Sequence, residues 1–596
     1  MQSTARGEGR RLAARHRNIE LGLLALAVAV CVAGHIDADL ALTGKMPPNL
    51  LMRLLPLVGL VGAAHMAVRR FAPYADPLIL PLGVFLTGFG LMLLDRLDIS
   101  YAAAHAKKGD FQKLPAAPQQ FMWVFIAVVV SLALVVFIKH HRFFQRYVYI
   151  LMAGALVLLA APAFFPGRPE DFGAKRWIRL FGLSFEPDEF VKVAITIFFA
   201  GYLMASRDAL ALAGRKIWGM TLPRGRHAGP VLAIWVMSLL VLIFERDLGT
   251  SLIFFGIFVV MLYVATERTS WVVLGLLMAV GGAAVVGTLE PHVHGRVEAW
   301  LHPLDIYKPV HDKAIISDQP AEALFSLGTG HLTGTGLGSG RPWLIGFAGR
   351  SDFVFTTIGE ELGLAGVTAV LLVYLLLVQR GLRTAVGLTD PFGKLLATGL
   401  STALALQVFV VVGGVSGLVP LTGKALPFLA AGGSSLLANW LTVALLIKLS
   451  DSAGRTALEP ALPSTDFPAQ VASKRPAQAD QRAGQATGQG SGQAGQGDGQ
   501  AGQAPGRTPA HGTPSGPGSE PAPEASGQQA GRPGAVADFP TAPGYGTAPD
   551  PSRPGGTLGG GFHTPAQPSG PHSSTPQPST PYPPGPYPPN QNPATA

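Results

Sequence analysis

The sequence predicts an all-α polytopic membrane protein with about twelve transmembrane helices, and three observations carry this prediction. Hydrophobic residues make up 48% of the chain and charged residues only 14%, which is too little charge to cover a soluble protein of 596 residues. Several apolar runs reach the roughly 18 residues that cross ~30 Å of hydrocarbon. The last quarter of the chain is polar, so these runs are concentrated in the first 450 positions.

The apolar runs define a transmembrane domain that we assign to residues 19–450. An even number of spans returns the chain to the side on which it began, so both termini are expected on one side of the membrane. The predicted spans lie near residues 19–37, 50–68, 77–95, 121–138, 147–165, 187–205, 229–245, 248–266, 270–289, 352–378, 395–417 and 425–449.

The distribution of basic residues predicts the orientation. Residues 1–18 carry five arginines ahead of the first apolar run, and further Lys and Arg residues flank the predicted inner ends of later spans. The positive-inside rule then predicts a multi-pass protein of the cytoplasmic membrane with both termini cytoplasmic. Orientation also explains the net charge of +9, because the basic residues form no block that would bind nucleic acid. The basic outer loop 164–184 is an exception, which indicates another role for its charges.

The longest predicted loop, residues 290–351 on the outer face, is too long for a simple connector. Its aromatic residues, such as Trp300 and Trp343, predict that it folds over the outer mouth of the bundle. The run Gly328–Arg341 lacks the Gly-Lys-Ser/Thr ending of a nucleotide-binding loop and is interpreted as a flexible loop. The scattered histidines of the outer loop and the lone Cys31 predict no metal site.

The C-terminal segment, residues 451–596, changes abruptly to Gly/Gln-rich and then Pro-rich sequence. It has few aromatic residues and no apolar periodicity, so it cannot bury enough surface to offset its ordering entropy. We predict a disordered cytoplasmic tail. It is either plain solvated chain or a proline-rich ligand for an adaptor domain.

Ionisable side chains within apolar spans are costly and therefore mark candidate functional positions. Glu189 and Lys192 share a helix face at i,i+3, and they form either an ion pair inside the bundle or a pair at the membrane surface. Just upstream, Arg176 and Trp177 lie at the outer interface. There they would contact an anionic headgroup or serve as ordinary interfacial anchors.

A second candidate is the tight turn that Glu245, Arg246 and Asp247 form between two predicted spans. In one interpretation, Glu245 or Asp247 faces a polar cavity. The other treats the turn as a charged hairpin tip in water, and the spacing alone leaves both open.

A third candidate is Asp352, which lies where the outer loop enters the tenth predicted span. At 100° per residue, Gly359 and Gly363 would lie on the same helix face as Asp352. Glu360 would lie about 80° away, so it is the acid best placed to share a cavity with Asp352. The alternative for Asp352 is a helix N-cap, a position that aspartate favours.

Together these stretches resemble the SEDS family (shape, elongation, division and sporulation), in order along about 350 residues. The matching stretches are AKRWIRLFGLSFEPDEFVK, ERDLGTSL, ALFSLGTGHLTGTGLGSG, SDFVFTTIGEELGLAG and VSGLVPLTGKALPFLAAGGSSLLANW. The last stretch looks more like RodA proteins of actinobacterial type than like FtsW. The family fold is a bundle of about ten spans, so the resemblance implies that the first two spans are an addition.

The resemblance implies an activity, the polymerisation of lipid II into peptidoglycan strands at the outer face of a bacterial cytoplasmic membrane. It implies that Asp352 is the family's essential aspartate, which we interpret as the general base, and that Glu189 and Lys192 are the family's paired residues. Arg176 or Lys192 would stabilise the pyrophosphate charge. It also implies a class B penicillin-binding protein as partner. No cofactor is evident, although a divalent cation is compatible with this chemistry.

The sequence departs from the family pattern at several places and leaves other functions open. Glu322 and Ala323 replace a Gln-Ser pair, and LIGFAGR replaces a Leu-Pro-Glu before the aspartate, so a specialised or weakly active paralogue is one alternative. A second is a lipid II flippase, which would depend more on Glu189 and Lys192. A third is a non-catalytic scaffold that recruits cell-wall enzymes through its tail. The sequence does not distinguish roles in cell elongation or shape, in division and in sporulation.

Overall fold

The computed structural model describes residues 2–458 apart from several gaps. These are residues 49, 106–114, 166–176, 181–182, 212, 218–219, 224–231, 233–234, 238–246, 290 and 306–317. Arg176, Glu245, most of the predicted span 229–245 and nearly all of the predicted tail therefore lie outside the described residues. The described part is mostly helical, which confirms the predicted all-α class.

Within the described ranges we number fourteen α-helices in chain order. They are α1 Gln2–Thr43, α2 Leu50–Phe71, α3 Ile79–His105, α4 Ala116–Phe137, α5 Arg142–Arg146, α6 Val148–Ala160, α7 Asp188–Ala211, α8 Leu248–Thr266, α9 Thr269–Leu289, α10 Pro291–Leu301, α11 Gln319–Thr329, α12 Val354–Gly387, α13 Pro391–Val415 and α14 Gly433–Leu458. Because α14 continues to Leu458, helix extends eight residues into the segment that the sequence assigned to the tail, which began at 451.

Shorter elements complete the described chain. Two 3₁₀ segments, Ala161–Phe164 and Pro342–Arg350, connect larger elements. Two antiparallel hairpins pair β1 (Ile178–Leu180) with β2 (Leu183–Phe185), and β3 (Ala213–Ile217) with β4 (Met220–Pro223). The first hairpin leads directly into α7, which places it beside the start of a membrane-spanning helix.

Ten of the described helices are long and apolar enough to cross a membrane, namely α1–α4, α7–α9 and α12–α14. The predicted count of about twelve is not confirmed among the described residues. Helix α6 corresponds to the predicted span 147–165 but has only 13 residues, about 20 Å at 1.5 Å per residue. The other missing span, 229–245, lies largely outside the described residues.

The centre of the bundle is formed by the helices near the C-terminal end of the described chain. We compare the share of buried residues in an 18-residue apolar stretch of each helix. This share is 72% in α13 and 83% in α14, but only 17% in α1 and 22% in α2. Helix α1 packs on α3, and α2 packs on α4. The N-terminal pair is therefore peripheral, with most of its apolar surface on the outside, where a bilayer would cover it.

The long loop between α9 and α12 folds back onto the bundle, as its aromatic residues predicted. The indole Nε1 of Trp300 on α10 donates a 2.8 Å hydrogen bond to the carbonyl of Gly417. From the same helix, Arg296 donates a 2.8 Å bond to the carbonyl of Thr422. These bonds fasten α10 to the loop between α13 and α14.

Helix α12 is broken at Gly363, whose φ of 64° and ψ of −166° are not helical. The outer loop supplies hydrogen-bond partners for the backbone groups that the break leaves unpaired. The amides of Leu364 and Ala365, which start the second half of the helix, donate to the carbonyls of His331 and Leu332 at 2.9 and 3.0 Å. A break of this kind is tolerated at membrane depth only where other protein groups satisfy the freed backbone.

The same loop also donates hydrogen bonds to the backbone carbonyls at the end of the first half of α12. The amides of Thr335 and Gly336 donate to the carbonyls of Glu360 and Glu361 at 2.9 and 3.0 Å. The prediction that Gly328–Arg341 is a flexible loop is therefore wrong, because its backbone completes the hydrogen bonding of a broken helix. Sequence spacing could not reveal this, since the partners come from a helix some 25 residues further along the chain.

The glycines of this region allow two backbones to touch. Gly334 has a φ of +82°, and a Cβ placed there would overlap the carbonyl of Glu361. A Cβ at Gly330 would overlap the carbonyl of Gly359. The predicted glycine face alongside Asp352 is thus filled by the loop. The angular argument behind it was also wrong, because α12 begins after Asp352.

Candidate active site at one end of the bundle

The starts of two helices and one loop meet around a buried lysine. Lys424, on the loop between α13 and α14, is only 2% exposed. Its Nζ lies 3.0 Å from Glu186 Oε1 and 2.9 Å from Asp247 Oδ2, and it also pairs with Asp188. We call these four residues the Lys424 cluster. It gathers the starts of α7 and α8 with a loop more than 170 residues further along the chain.

The two aspartates of the cluster are held by the helices that they begin. Asp247 is the N-cap of α8, and its Oδ1 accepts a 3.0 Å bond from the amide of Thr250. The hydroxyl of Thr250 donates a 2.7 Å bond to Asp188 Oδ2. Asp247 is 0% exposed, so it faces a polar cluster and is not an exposed hairpin tip. Of the two interpretations that the sequence left open for Asp247, the geometry therefore supports the polar interior and not the exposed turn.

The cluster keeps Lys424 charged. Lys424 lies between the spans α13 and α14, and burial by itself lowers the pKa of its amine. The surrounding carboxylates, Asp188 first, outweigh burial and raise the pKa of Lys424 well above its usual value. The ammonium thus occupies the centre of three carboxylates that are otherwise spaced like metal ligands.

A second buried polar group lies next to the cluster, one helical turn into α7. Lys192 Nζ donates to Glu189 Oε2 at 2.7 Å and also to Gln407 Oε1. The amide of Gln407 returns bonds of 3.1 Å to Glu189 Oε1 and to the carbonyl of Ala425. The pair is therefore inside the bundle and not at the membrane surface.

Gln407 was missed in the sequence analysis, although a signal was present. It is a lone amide in the apolar run of α13 and is 0% exposed. A polar residue in such a run is expected to hydrogen-bond across helices. Its bond to Ala425 also connects the Glu189–Lys192 pair to the loop that carries Lys424.

Asp352 lies on the turn between the 3₁₀ segment and α12. Its side chain is partly exposed, and Oδ1 accepts a 2.7 Å hydrogen bond from the hydroxyl of Ser351. The cap position of α12 belongs to Phe353, which makes no side-chain capping bond. The N-cap alternative for Asp352 is therefore set aside. Asp352 therefore lies on a turn before α12 and is not its N-cap residue.

The residues on either side of Asp352 fix this turn. Phe353 is fully buried, and Arg350 is 3% exposed. The guanidinium of Arg350 lies 2.9 Å from Asp98 Oδ1 and 4.5 Å from the centre of the Tyr101 ring. These anchors hold the backbone while leaving the carboxylate between them partly accessible.

Glu360 and Glu361, the two acids of α12, have different partners. Glu360 accepts a 3.0 Å bond from Ser326 Oγ and a 2.8 Å bond from the amide of Arg341, so it binds the outer loop. A cavity shared by Glu360 and Asp352 stays a prediction. Glu361 forms a buried ion pair with Arg96 of α3, which the sequence analysis did not find.

Trp177 is half-buried just before the hairpin β1–β2. The guanidinium of Arg179 lies 5.4 Å from the centre of its ring. The hairpin is tied to the bundle by a 2.8 Å bond from the amide of Glu186 to Ser434 Oγ on α14. Trp177 therefore lies on the segment that leads into the Lys424 cluster. Its predicted neighbour Arg176 is outside the described residues.

The fold and the site define a multi-pass helical membrane protein whose buried charges gather at helix ends. The chain belongs to the FtsW/RodA/SpoVE family, since the family's sequence model, described as "Cell cycle protein", matches residues 77–454. The match begins just before α3. Helices α1 and α2 therefore lie outside it, as the sequence analysis expected of the first two spans.

Comparison with individual relatives shows which members of the family the chain resembles. It is 44% identical over 440 residues to the peptidoglycan glycosyltransferase RodA of Mycobacterium tuberculosis, covering 74% of this chain and 91% of that protein. It is 42% identical to the corresponding protein of Mycobacterium leprae, covering 73% and 91%. A solved peptidoglycan synthase complex, described as coordinating polymerization and crosslinking, matches with 22% identity and a TM-score of 0.42, covering 68% and 98%. The predicted resemblance to actinobacterial RodA proteins is confirmed.

Proposed function

We propose that this chain is a peptidoglycan glycosyltransferase that polymerises lipid II at the outer face of a bacterial cytoplasmic membrane. Support comes from its family and from its 44% identity to proteins named peptidoglycan glycosyltransferase RodA. The main structural support is the way in which one loop joins the buried charges to Asp352. The α13–α14 loop contains Lys424 and also binds the Asp352 turn, because the amide of Ala431 donates to the carbonyl of Arg350 at 2.8 Å.

Asp352 is the proposed general base. Glycan extension requires that a sugar hydroxyl of the acceptor lose its proton as it attacks the anomeric carbon of the donor. The Asp352 carboxylate is partly exposed, as a base that takes this proton must be, and the Arg350–Asp98 ion pair anchors its turn. The Ser351 hydroxyl donates a 2.7 Å hydrogen bond to Oδ1 and so helps to orient the carboxylate.

Cationic groups would compensate the charge of the departing pyrophosphate. Lys424 and Lys192 are buried cations near the starts of α7 and α8, and both are held by carboxylates. Arg176 and Trp177 are proposed to contact the lipid headgroup at the membrane surface. The Lys424 ammonium already supplies positive charge among the three acids of the cluster, so the proposal needs no divalent cation there.

The proposed orientation places this site outside the cytoplasm. With both termini cytoplasmic, the starts of α7 and α8 and the α13–α14 loop face the outer side, together with the α9–α12 loop that packs on them. The proposed partner is a class B penicillin-binding protein, on the strength of the family resemblance. Its transpeptidase activity would crosslink the strands made here.

A lipid II flippase is the competing function. It would depend on charges that change partners during transport, and Glu189 with Lys192 were the candidates. In the structure these two residues and Gln407 bond to one another, and both oxygens of Glu189 are used. Such a closed set suits a fixed structural element better than a moving charge.

The test uses full-length purified protein, its cognate penicillin-binding partner and labelled lipid II. Wild-type protein should give glycan ladders, and Asp352→Asn should give none while eluting as the wild type does in size-exclusion chromatography. Asp208→Asn, which changes an exposed acid at the far end of α7, is the matched control and should stay active. Ladders from Asp352→Asn would remove its role as base. No ladders from folded wild-type protein would overturn the polymerase itself.

A further inference from the structure

A group of possible metal ligands lies outside the Lys424 cluster, on the helices nearest the N-terminus. His35 and Asp39 are spaced i,i+4 on α1, so they share a helix face. Asp95 reaches the same place from α3, and one ligand atom from each of the three residues lies within 4.8 Å of the others. His35 Nδ1 is 3.8 Å from Asp95 Oδ2.

Asp39 supplies a second, independent observation. Its side chain is 4% exposed, and no hydrogen-bond donor among the described residues reaches Oδ1. The nearby hydroxyl of Thr43 donates instead to the backbone carbonyl of Asp39 at 2.8 Å. A buried carboxylate oxygen without a donor is strongly unfavourable, and a bound cation would supply the missing partner.

The only cationic side chain with an ion pair to this group in the described chain is Arg53, and it does not meet that need. Arg53 Nη1 lies 3.0 Å from Asp95 Oδ1, and its side chain is 52% exposed. It therefore neutralises one carboxylate from the solvent side. Asp95 Oδ2 still faces His35, and Asp39 Oδ1 still has no donor.

We propose that His35, Asp39 and Asp95 bind a divalent transition-metal cation of the Zn²⁺ class. One imidazole nitrogen and two carboxylate oxygens are ligands that Zn²⁺ accepts, and three protein ligands leave a fourth position for water. Mg²⁺ and Ca²⁺ are disfavoured, since they prefer sites made of oxygen ligands alone. None of these three residues belongs to the Lys424 cluster or to the Asp352 turn.

The position of the site indicates what the metal would do. Helices α1 and α2 lie outside the family region 77–454, and α1 is the least buried of the ten long apolar helices. A metal shared by α1 and α3 would fasten α1, the first helix of this added pair, to the family bundle. His35, Arg53 and Asp95 also line a largely apolar cavity of about 430 Å³ between the first four helices, so the same metal would fix one part of its wall.

The experiment measures Zn²⁺ binding to full-length protein from which any affinity tag has been removed. After treatment with a chelator, wild-type protein is titrated with ZnCl₂ by calorimetry, and its thermal unfolding is followed with and without Zn²⁺. His35→Ala and the isosteric Asp39→Asn each remove one ligand. Because loss of an outer-shell partner alone typically weakens metal binding about 10–100-fold, loss of a ligand should weaken it by at least that factor.

His294→Ala is the matched control, since His294 and Glu298 form another i,i+4 histidine–acid pair, exposed on α10. The proposal predicts one tight Zn²⁺ site in the wild type and in His294→Ala, with a higher Tm when Zn²⁺ is present. Both effects should be lost in His35→Ala and Asp39→Asn. Equal binding by wild type and Asp39→Asn, or no tight site in the wild type, would overturn it. Glycan ladders from the same samples report separately on the polymerase.

Discussion

The amide of Ala431 donates a 2.8 Å hydrogen bond to the carbonyl of Arg350, and this bond joins the two halves of the candidate active site. Ala431 lies on the α13–α14 loop, which also carries Lys424. Arg350 is anchored on Asp98 and begins the turn that presents Asp352. The buried charges and the proposed base are therefore parts of one connected unit, and damage to the loop should reach both.

Removing the cation of the Lys424 cluster should strongly destabilise the protein. Lys424→Met leaves three carboxylates without their shared partner, and breaking a buried ion pair in this way costs about 3–5 kcal/mol. The measurement is thermal unfolding in detergent. Arg207→Ala is the control, because Arg207 and Glu267 form a pair in which both side chains are more than half exposed, and such pairs contribute about 0–1 kcal/mol. Equal losses in both variants would contradict the role assigned to Lys424.

Adding one methyl group to the outer loop should disturb the broken helix. Gly334→Ala puts a Cβ against the carbonyl of Glu361 at a φ of +82°, and overpacking costs about 1–3 kcal/mol before the backbone strain is added. We expect a lower Tm and lower polymerising activity. Gly281→Ala on α9 meets no atom within 4 Å and should be neutral or stabilising by about 0.5–1 kcal/mol. A Gly334→Ala protein as stable as the wild type would show that the loop does not pack here.

Asp390 should make stability depend on pH in the acid range. The hydrogen bond from His141 lowers the pKa of Asp390 most, and the amide of Gly393 and the nearby Arg142 lower it further, against burial. A carboxyl whose pKa is lower in the folded protein stabilises it above the unfolded pKa of about 3.9, and this stabilisation is lost as the pH falls through the folded value.

Asp390→Asn tests that charge with little effect on the cap, since asparagine caps a helix about as well as aspartate. The wild type should unfold at a higher temperature than the variant at pH 6–7. The difference should shrink as the pH is lowered below about 4. A difference that is constant from pH 7 to pH 3 would mean that the charge of Asp390 contributes nothing.

Local spacing predicted the pairs within one helix and missed the partners between helices. The i,i+3 rule found Glu189 and Lys192, which are bonded at 2.7 Å. Lys424 stood in a quoted motif without a role, because its partner Asp188 is 236 positions away and no periodicity connects them. The helical spans were predictable because hydrocarbon imposes their length and composition.

The errors in the outer loop have a different physical cause. Glycine-rich sequence was interpreted as flexible because glycine lowers the cost of disorder. In Gly328–Arg341 the same lack of a side chain lets one backbone lie against another, as at Gly334. Sequence alone does not distinguish these two uses of glycine, since the second depends on a helix broken at Gly363.

Glu189 and Lys192 should be energetically coupled, which a double-mutant cycle can measure. Glu189→Gln or Lys192→Met alone leaves one buried charge without its partner and should cost about 3–5 kcal/mol. The double variant removes both charges, so its loss should be smaller than the sum by a coupling of about 0.5–3 kcal/mol. Thermal unfolding of the four proteins gives the cycle. The Gln407 amide can still donate to an oxygen at position 189 in Glu189→Gln. Lys192→Met removes the donor to Gln407 Oε1 in both the single and the double variant, so that loss cancels in the cycle. Additive losses would mean that the two residues act independently, and the transport reading, which needs separable charges, would then gain support.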